Sequence, residues 1–254
     1  MSDSDLDHLR RVWQTLGRDD PLWAVLSHAD KRGRRWQADE FLETGRAEID
    51  AQMHGLVHHG LPSQRRLALD FGCGAGRLSR ALASHFERVV GVDVSSSMIE
   101  TARALNRDMA NIEFRENPSP RLEGVADSSV DLVYSSMTLQ HIPSHFALGY
   151  VEEFFRVLAP GGVAVFQFVA GADESLRGHV FARVPNRWLN PLRRVAWRRK
   201  AVFEMHVLRE CDLAWSLIRF PQLRILEAVE DPAAGAGWHG LRWYVVRDGH
   251  AVRC

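Results

Sequence analysis

The sequence predicts an α/β domain: a doubly wound, mostly parallel sheet with helices on both faces. Three observations predict it. From Arg66 onward, short apolar runs alternate with helical patterns, as in successive strand–helix–strand units. The run over residues 163–169 is apolar almost throughout, as in a strand buried on both faces. The run over residues 67–71 leads straight into glycines at alternate positions.

Taken in order, residues 1–62 read as a helical N-terminal cap and residues 63–254 as the main domain. Leu6, Leu9, Val12, Trp13 and Leu16 recur at three- and four-residue spacings, with Gly17 as a stop. Asp20-Pro21 opens a short apolar segment. A second stripe (Phe41, Leu42, Ile49, Met53, Leu56 and Val57) ends at Gly60 and Pro62. Residues 67–71 and 89–94 then read as strands, and residues 76–85 and 97–105 as helices, with Ser95 and Ser96 as candidate caps. Residues 112–114 are a weak strand and 130–134 a stronger one. Ser144 is a candidate cap for a helix reaching Leu158, with Leu148, Val151, Phe154 and Phe155 facing inward. Residues 159–162 read as a turn before the strand at 163–169. Residues 171–206 fit no strand–helix unit and read as a helical insertion after the fifth strand. Residues 208–218 read as a helix, and 223–229 and 241–246 as strands joined closely enough to be antiparallel.

Composition narrows the function. The chain has 254 residues, with 32 Lys+Arg and 32 Asp+Glu, so its net charge is zero. That argues against a protein-wide field for nucleic acid. An apolar fraction of 46% and a charged fraction of 25% exclude wholesale disorder. No apolar run is long enough to span a bilayer, and the polar start has no apolar signal core. Cys73, Cys211 and Cys254 lie too far apart for a disulfide framework or a zinc pattern, so the expected compartment is the cytoplasm. The neutral total hides a basic insertion. Between Glu174 and Glu204 lie Arg177, Arg183, Arg187, Arg193, Arg194, Arg198, Arg199 and Lys200. Four readings stay open: a lid over an anionic small molecule, a peripheral membrane contact, a nucleic-acid contact, or a solvated helix pair.

Asp70-Phe71-Gly72-Cys73-Gly74-Ala75-Gly76 carries the strongest signal. Glycine where a strand ends lets a ligand approach the backbone. The third glycine falls one position earlier than in a dinucleotide fingerprint, and Arg77 stands where that pattern wants glycine. Asp70 disfavours a pyrophosphate and tolerates an amine-bearing ligand. Asp93, ending the second strand, is placed to accept two hydrogen bonds from a ribose diol.

This set resembles the class I S-adenosylmethionine-dependent methyltransferases of the bacterial small-molecule type. The match continues through Asp127–Val133, Leu139-Gln140-His141-Ile142 and Leu158–Gly162, in register from Arg66 to Val169. The resemblance implies a Rossmann-like seven-stranded sheet with an antiparallel C-terminal hairpin. It implies S-adenosyl-L-methionine as cofactor, leaving as S-adenosyl-L-homocysteine. Gly72, Cys73 and Gly74 would line its methionine part, and Asp70 would lie near its amino group. Asp93 would bind the ribose, Val94 and Met98 would flank the adenine, and Asn117 would accept from the adenine amino group. Ser135 and Gln140 would border the reaction chamber. Residues 36–46 resemble a cofactor-covering helix, in which Arg46 would pair the cofactor carboxylate.

His141 is the candidate general base, since it follows the fourth strand and imidazole titrates near working pH; bracing the loop is its other reading. Tyr134, His145 and His206 are lesser candidates. His54 and His58 lie one helical turn apart, but nothing nearby completes a ligand set, so no metal is expected. The chain lacks an Asn-Pro-Pro-Tyr motif after the fourth strand, which argues against methylation of nucleic-acid bases. The expected activity is methyl transfer to an oxygen or nitrogen of a small-molecule or glycan acceptor. No stable nucleic-acid partner is expected, and the sequence does not indicate an oligomeric state. The alternatives are a non-catalytic nucleotide-binding module, an enzyme using the cofactor differently, or a lipid-linked or nucleic-acid acceptor reached through the insertion.

Overall fold

The computed structural model describes residues 4–175, 179 and 203–249. Strands β1 (Leu67–Phe71), β2 (Arg88–Asp93), β3 (Ile112–Glu116), β4 (Val130–Ser135), β5 (Leu158–Ala172), β6 (Leu223–Glu230) and β7 (Trp238–Arg247) form one sheet. Their order is β3-β2-β1-β4-β5-β7-β6. The first five pair in parallel, and β7 runs antiparallel to both β5 and β6. The expected doubly wound sheet with its C-terminal hairpin is therefore present. Every residue of β4 is buried, as a strand covered on both faces requires.

One face packs against α6 (Ser144–Val157) and α7 (Glu210–Ile218), through Phe154, Phe155, Phe166, Phe168 and Leu213. The other packs against α3 (Ala38–His58) and α4 (Arg77–Leu82), through Ile49, Met53, Leu78 and Leu82. The expected stripe on α3 is thus its buried face, although Val57 is exposed. Helix α5 (Ser96–Leu105) begins as expected: the Ser95 hydroxyl accepts from the Met98 amide at 3.3 Å.

Three local expectations are corrected. Gly17 does not stop α1 (Ser4–Asp19). A Cβ there would lie 2.4 Å from the Ser97 hydroxyl oxygen, so this glycine lets the cap helix seat closely on α5. Ser144 is not a helix cap; Pro143 holds that position, and the Ser144 hydroxyl donates to the Val207 carbonyl at 2.8 Å. Residues 159–162 form no separate turn but an irregularity inside β5, between the Val130–Leu158 and Leu132–Val163 pairs.

The cap is anchored beside the sheet's ligand-binding edge. The Gln14 side-chain oxygen accepts from the hydroxyls of Ser95 and Ser96, and the Gln14 carbonyl accepts from the Ser97 hydroxyl. Leu9 and Trp13 of α1 and Trp23 and Val25 of α2 (Pro21–Val25) line the same cavity as Phe71 and Asp93, at the carboxyl ends of β1 and β2. No helix among the described residues is long and apolar enough to cross a membrane. The basic lid call at 171–206 falls largely on residues 176–178 and 180–202, outside the described residues.

Candidate cofactor and acceptor site

A cavity of about 980 Å³ opens above the carboxyl ends of the parallel strands. That is where an open α/β sheet binds its ligands. The volume is at the upper end of the usual range for small-molecule sites, about 300–1,000 Å³.

One end of the cavity is built from the first three strands. Gly72 has a φ of +71°, and a Cβ on it would lie 2.2 Å from the Thr138 hydroxyl oxygen. Only glycine fits between that side chain and the left-handed turn. Gly72 and Cys73 stand on the cavity wall. Gly74 lies behind them, and its amide donates to Asp93 Oδ2 at 3.0 Å. The other Asp93 oxygen accepts from the Ser95 amide at 2.9 Å. Asp93 is on the wall and, because it is desolvated, its carboxyl is raised to about 6 despite those bonds. Val94 and Asn117 are also on the wall, and the Asn117 side-chain amide donates to the Ser119 carbonyl at 3.2 Å.

Other expected residues are placed differently. Met98 is fully buried between α5 and the cap, packed with Leu16 and Ala24, and is not on the cavity wall. Asp70 is also off the wall. Its Oδ2 accepts from the Ser79 hydroxyl at 2.6 Å, its Oδ1 has no partner, and burial lifts its carboxyl to about 7. Ser135 is buried beneath the surface, with Ser136 on the wall in its place. Arg46 points outward. It pairs with Glu43 at 2.7 Å and lies 3.8 Å from Asp50, well exposed and away from the cavity. The helix does reach the cavity, but through Thr44 and Glu48, while Gly45 lets it seat on α4: a Cβ there would lie 2.3 Å from the Arg77 carbonyl oxygen.

His141 reaches the wall in a defined state. Its Nδ1 lies 2.8 Å from the Glu204 carbonyl, which can only accept, so Nδ1 carries the proton. Nε2 is then the acceptor and faces the Gln140 amide nitrogen at 3.3 Å. Gln140 Oε1 accepts in turn from Gln167 at 3.0 Å, and Gln167 Oε1 accepts from the Met137 amide at 2.9 Å. Every direction in this chain is consistent. Burial lowers the imidazole to about 4, so it is neutral at working pH with its lone pair already engaged. Trp13 and Phe203 pack on the ring at 5.4 and 5.7 Å between centroids. These contacts favour the bracing reading over the general base.

The lesser base candidates lie off the cavity wall. His145 stacks on Phe146, and the His206 amide donates to the Gln140 carbonyl at 2.8 Å. The Tyr134 phenol is buried and held well above its ordinary value, by burial first and then by Glu48. His54 and His58 bring their Nε2 atoms to 3.3 Å on an exposed surface, but no three-residue metal group exists among the described residues.

Sequence reasoning missed the other end of the cavity. Glu48, Arg77, Arg242, Trp238 and residues 233–236 line it, and Trp23, Val25 and Leu26 reach in from the cap. Tyr134 donates to Glu48 Oε1 at 2.8 Å, and Arg242 donates to the Tyr134 oxygen at 3.0 Å and to Asp231 at 2.7 Å. Arg77 pairs with Glu48 Oε2 at 2.8 Å. Burial works against the Glu48 carboxylate, but Arg77, Tyr134 and Arg242 together hold it below its ordinary value. Glu48 lies one turn past Gly45 on α3, which was a readable signal.

Comparison with known proteins adds the family. A family model described as a methyltransferase domain matches residues 68–162. A trans-aconitate 2-methyltransferase from Variovorax paradoxus is 33% identical over 142 residues, which are 54% of this chain and 51% of that protein. A ubiquinone biosynthesis O-methyltransferase from Psychrobacter arcticus is 30% identical over 176 residues, 68% of this chain and 63% of that one. The chain thus spans between half and two thirds of the length of these two relatives. In fold it is similar to the magnesium protoporphyrin IX methyltransferase of Synechocystis PCC 6803, with a TM-score of 0.62. That match has 18% identity and covers 96% of this chain and all of the other. The motif register running from Arg66 to Val169 and the strand order of the sheet lead to one family: residues 68–162 match a methyltransferase domain, set in the sheet of the class I S-adenosylmethionine-dependent methyltransferase fold.

Proposed function

We propose that this chain transfers a methyl group from S-adenosyl-L-methionine to a small-molecule acceptor by in-line displacement. The observation that carries the reading is Asp93. It ends β2 on the wall of the cavity, with both oxygens oriented by backbone amides and acceptor capacity left over. That donor-hungry carboxylate fits a ribose diol. Gly72 and Cys73 provide the close backbone approach for the methionine part, backed by Gly74. Val94 and Asn117 stand where the adenine ring and its amino group would lie. Small-molecule acceptors named in the trans-aconitate and ubiquinone relatives support the acceptor class.

The bound cofactor supplies the activated methyl group. The protein's residues supply position, which is worth about 7–11 kcal/mol in well-oriented reactions. Residues 1–62 form part of the site in this reading: Trp13, Trp23, Val25 and Leu26 cover the cavity and exclude water. Gln140 borders the reaction chamber and holds His141 in its neutral form. His141 positions the segment after the insertion and removes no proton. The acceptor atom is then one that attacks without His141 as base, such as a carboxylate or phenolate oxygen or a neutral amine.

Calorimetry with S-adenosyl-L-homocysteine and with NAD tests the reading. Binding of the first and not the second is expected; the reverse preference would sink it.

A further inference from the structure

We propose that the part of the cavity walled by Trp13, Met137, Phe203, Met205 and Trp238 takes an uncharged aromatic molecule, so that the methyl acceptor is held by apolar and ring contacts and not by charge. The inference rests on the methyltransferase reading and deepens it.

The first observation is the surface left to an acceptor once the cofactor holds Asp93, Val94 and Asn117. Trp13 of α1 meets Phe203 at 5.8 Å between ring centroids, and Phe203 meets Trp23 of α2 at 5.9 Å. These rings stand on the cavity wall with Met137, Met205 and Trp238. Trp13, Met137, Phe203, Met205 and Trp238 are only half-buried, so each keeps apolar surface that a ligand can cover. Aromatic rings and thioethers make favourable contacts with a flat ring.

The second is the backbone of Met137. It follows β4 with a φ of +56°, a region that residues with a side chain seldom enter. Its amide donates at 2.9 Å to Oε1 of Gln167, which is fully buried, and Gln167 donates to Gln140 at 3.0 Å. This buried pair of amides holds the turn that brings Met137 to the cavity wall. Backbone strain of this kind gathers where a protein holds a ligand.

The third is that the charges at this end are matched among themselves. Arg77 pairs with Glu48 and Arg242 with Asp231, so two guanidiniums meet two carboxylates. Tyr134 joins the pairs, donating to Glu48 and accepting from Arg242. Arg32, also on the wall, lies over the Trp23 ring at 5.7 Å. His141 is neutral, with Nε2 facing the Gln140 amide. A charged ligand would lose its water here and find this network already neutral, whereas an uncharged ring loses little. Of the acceptor atoms that need no base from His141, a neutral amine nitrogen is the one that brings no charge.

The test uses the full chain saturated with S-adenosyl-L-homocysteine. Indole and quinoline are titrated by calorimetry and ligand-observed NMR, each beside its carboxylate, with methyl glucoside as an uncharged polar probe. At least one ring is expected to bind about tenfold or more tightly than its carboxylate and than the glucoside. Met205→Ser and Trp238→Ser should each weaken that ring about fivefold or more while leaving homocysteine-cofactor affinity within about threefold. Carboxylates or glucoside binding as tightly as the rings overturns the proposal, as does failure of both rings to bind; these comparisons stand even if both variants fail to fold. Ring binding that survives both substitutions overturns it too, as does a matching loss of cofactor affinity. Absence of cofactor binding in the unsubstituted protein instead refutes the methyltransferase reading.

Discussion

Removing the Asp93 carboxylate tests the cofactor site most directly. Each oxygen of Asp93 accepts one backbone amide, from Ser95 at 2.9 Å and from Gly74 at 3.0 Å. A carboxylate has about four acceptor sites, so capacity is left for ribose hydroxyls. Hydrogen bonds to a charged group contribute about 1.5–3 kcal/mol each, so two are worth at least about 3 kcal/mol. At about 1.4 kcal/mol per decade, Asp93→Ala should weaken S-adenosyl-L-homocysteine by about 100-fold or more. The substitution also frees two backbone donors at the glycine turn, so affinity alone does not isolate the ribose contact. A homocysteine cofactor lacking both ribose hydroxyls does. It should bind the unsubstituted protein far more weakly, and Asp93→Ala should cause little further loss. Equal, independent losses for the two cofactors in calorimetry would refute the ribose assignment. A pH effect follows from the same group. Its carboxyl sits at about 6, and the diol binds the ionised form. Affinity should therefore fall about tenfold one pH unit below that value.

Further outcomes follow from individual residues. Arg46→Ala should leave cofactor affinity within twofold in calorimetry, because Arg46 is exposed and pairs with Glu43. Gly45→Ala should destabilise the fold by about 1–3 kcal/mol in urea melts, since its Cβ meets the Arg77 backbone; an unchanged midpoint contradicts that packing. The His141 ring should stay neutral by NMR down to about pH 5, and an imidazole titrating at its ordinary value would restore it as a base. Asp70 is raised by burial to about 7, so the native state binds its proton more tightly than the unfolded chain. Its ionisation therefore removes stability as pH climbs from about 4 to about 7. Asp70→Asn should gain on the unsubstituted protein across that window, by a few kcal/mol at about 1.4 kcal/mol per unit. No pH dependence of that difference would show that the Asp70 carboxyl is not raised.

The fold and the glycine-turn end of the cavity were legible in the sequence, while the end walled by Glu48, Arg77 and Arg242 was not, for a physical reason. Strand ends, glycine turns and the acid after them are local: Gly72 and Asp93 are fixed by backbone conformation within a few residues, and spacing reads them. Met98 and Arg46 fail differently. Both sit on correctly read helices, but which side chains face the cavity depends on how α5 meets the cap and how α3 meets α4. One-dimensional periodicity gives an apolar stripe and not its partner. The opposite end of the cavity is further still from local information. Glu48, Arg77, Tyr134, Asp231 and Arg242 come from α3, α4, β4, β7 and the segment before β7, and meet only once β7 is inserted between β5 and β6. Arg77 shows the limit most clearly. In sequence it is a departure from a glycine pattern; in the fold it begins α4 as a buried cation, and its long-range neighbours determine which charge it can meet. Chemistry set by the turn lies within a few consecutive residues, whereas chemistry set by this meeting of α3, α4, β4 and β7 exists only in the folded chain.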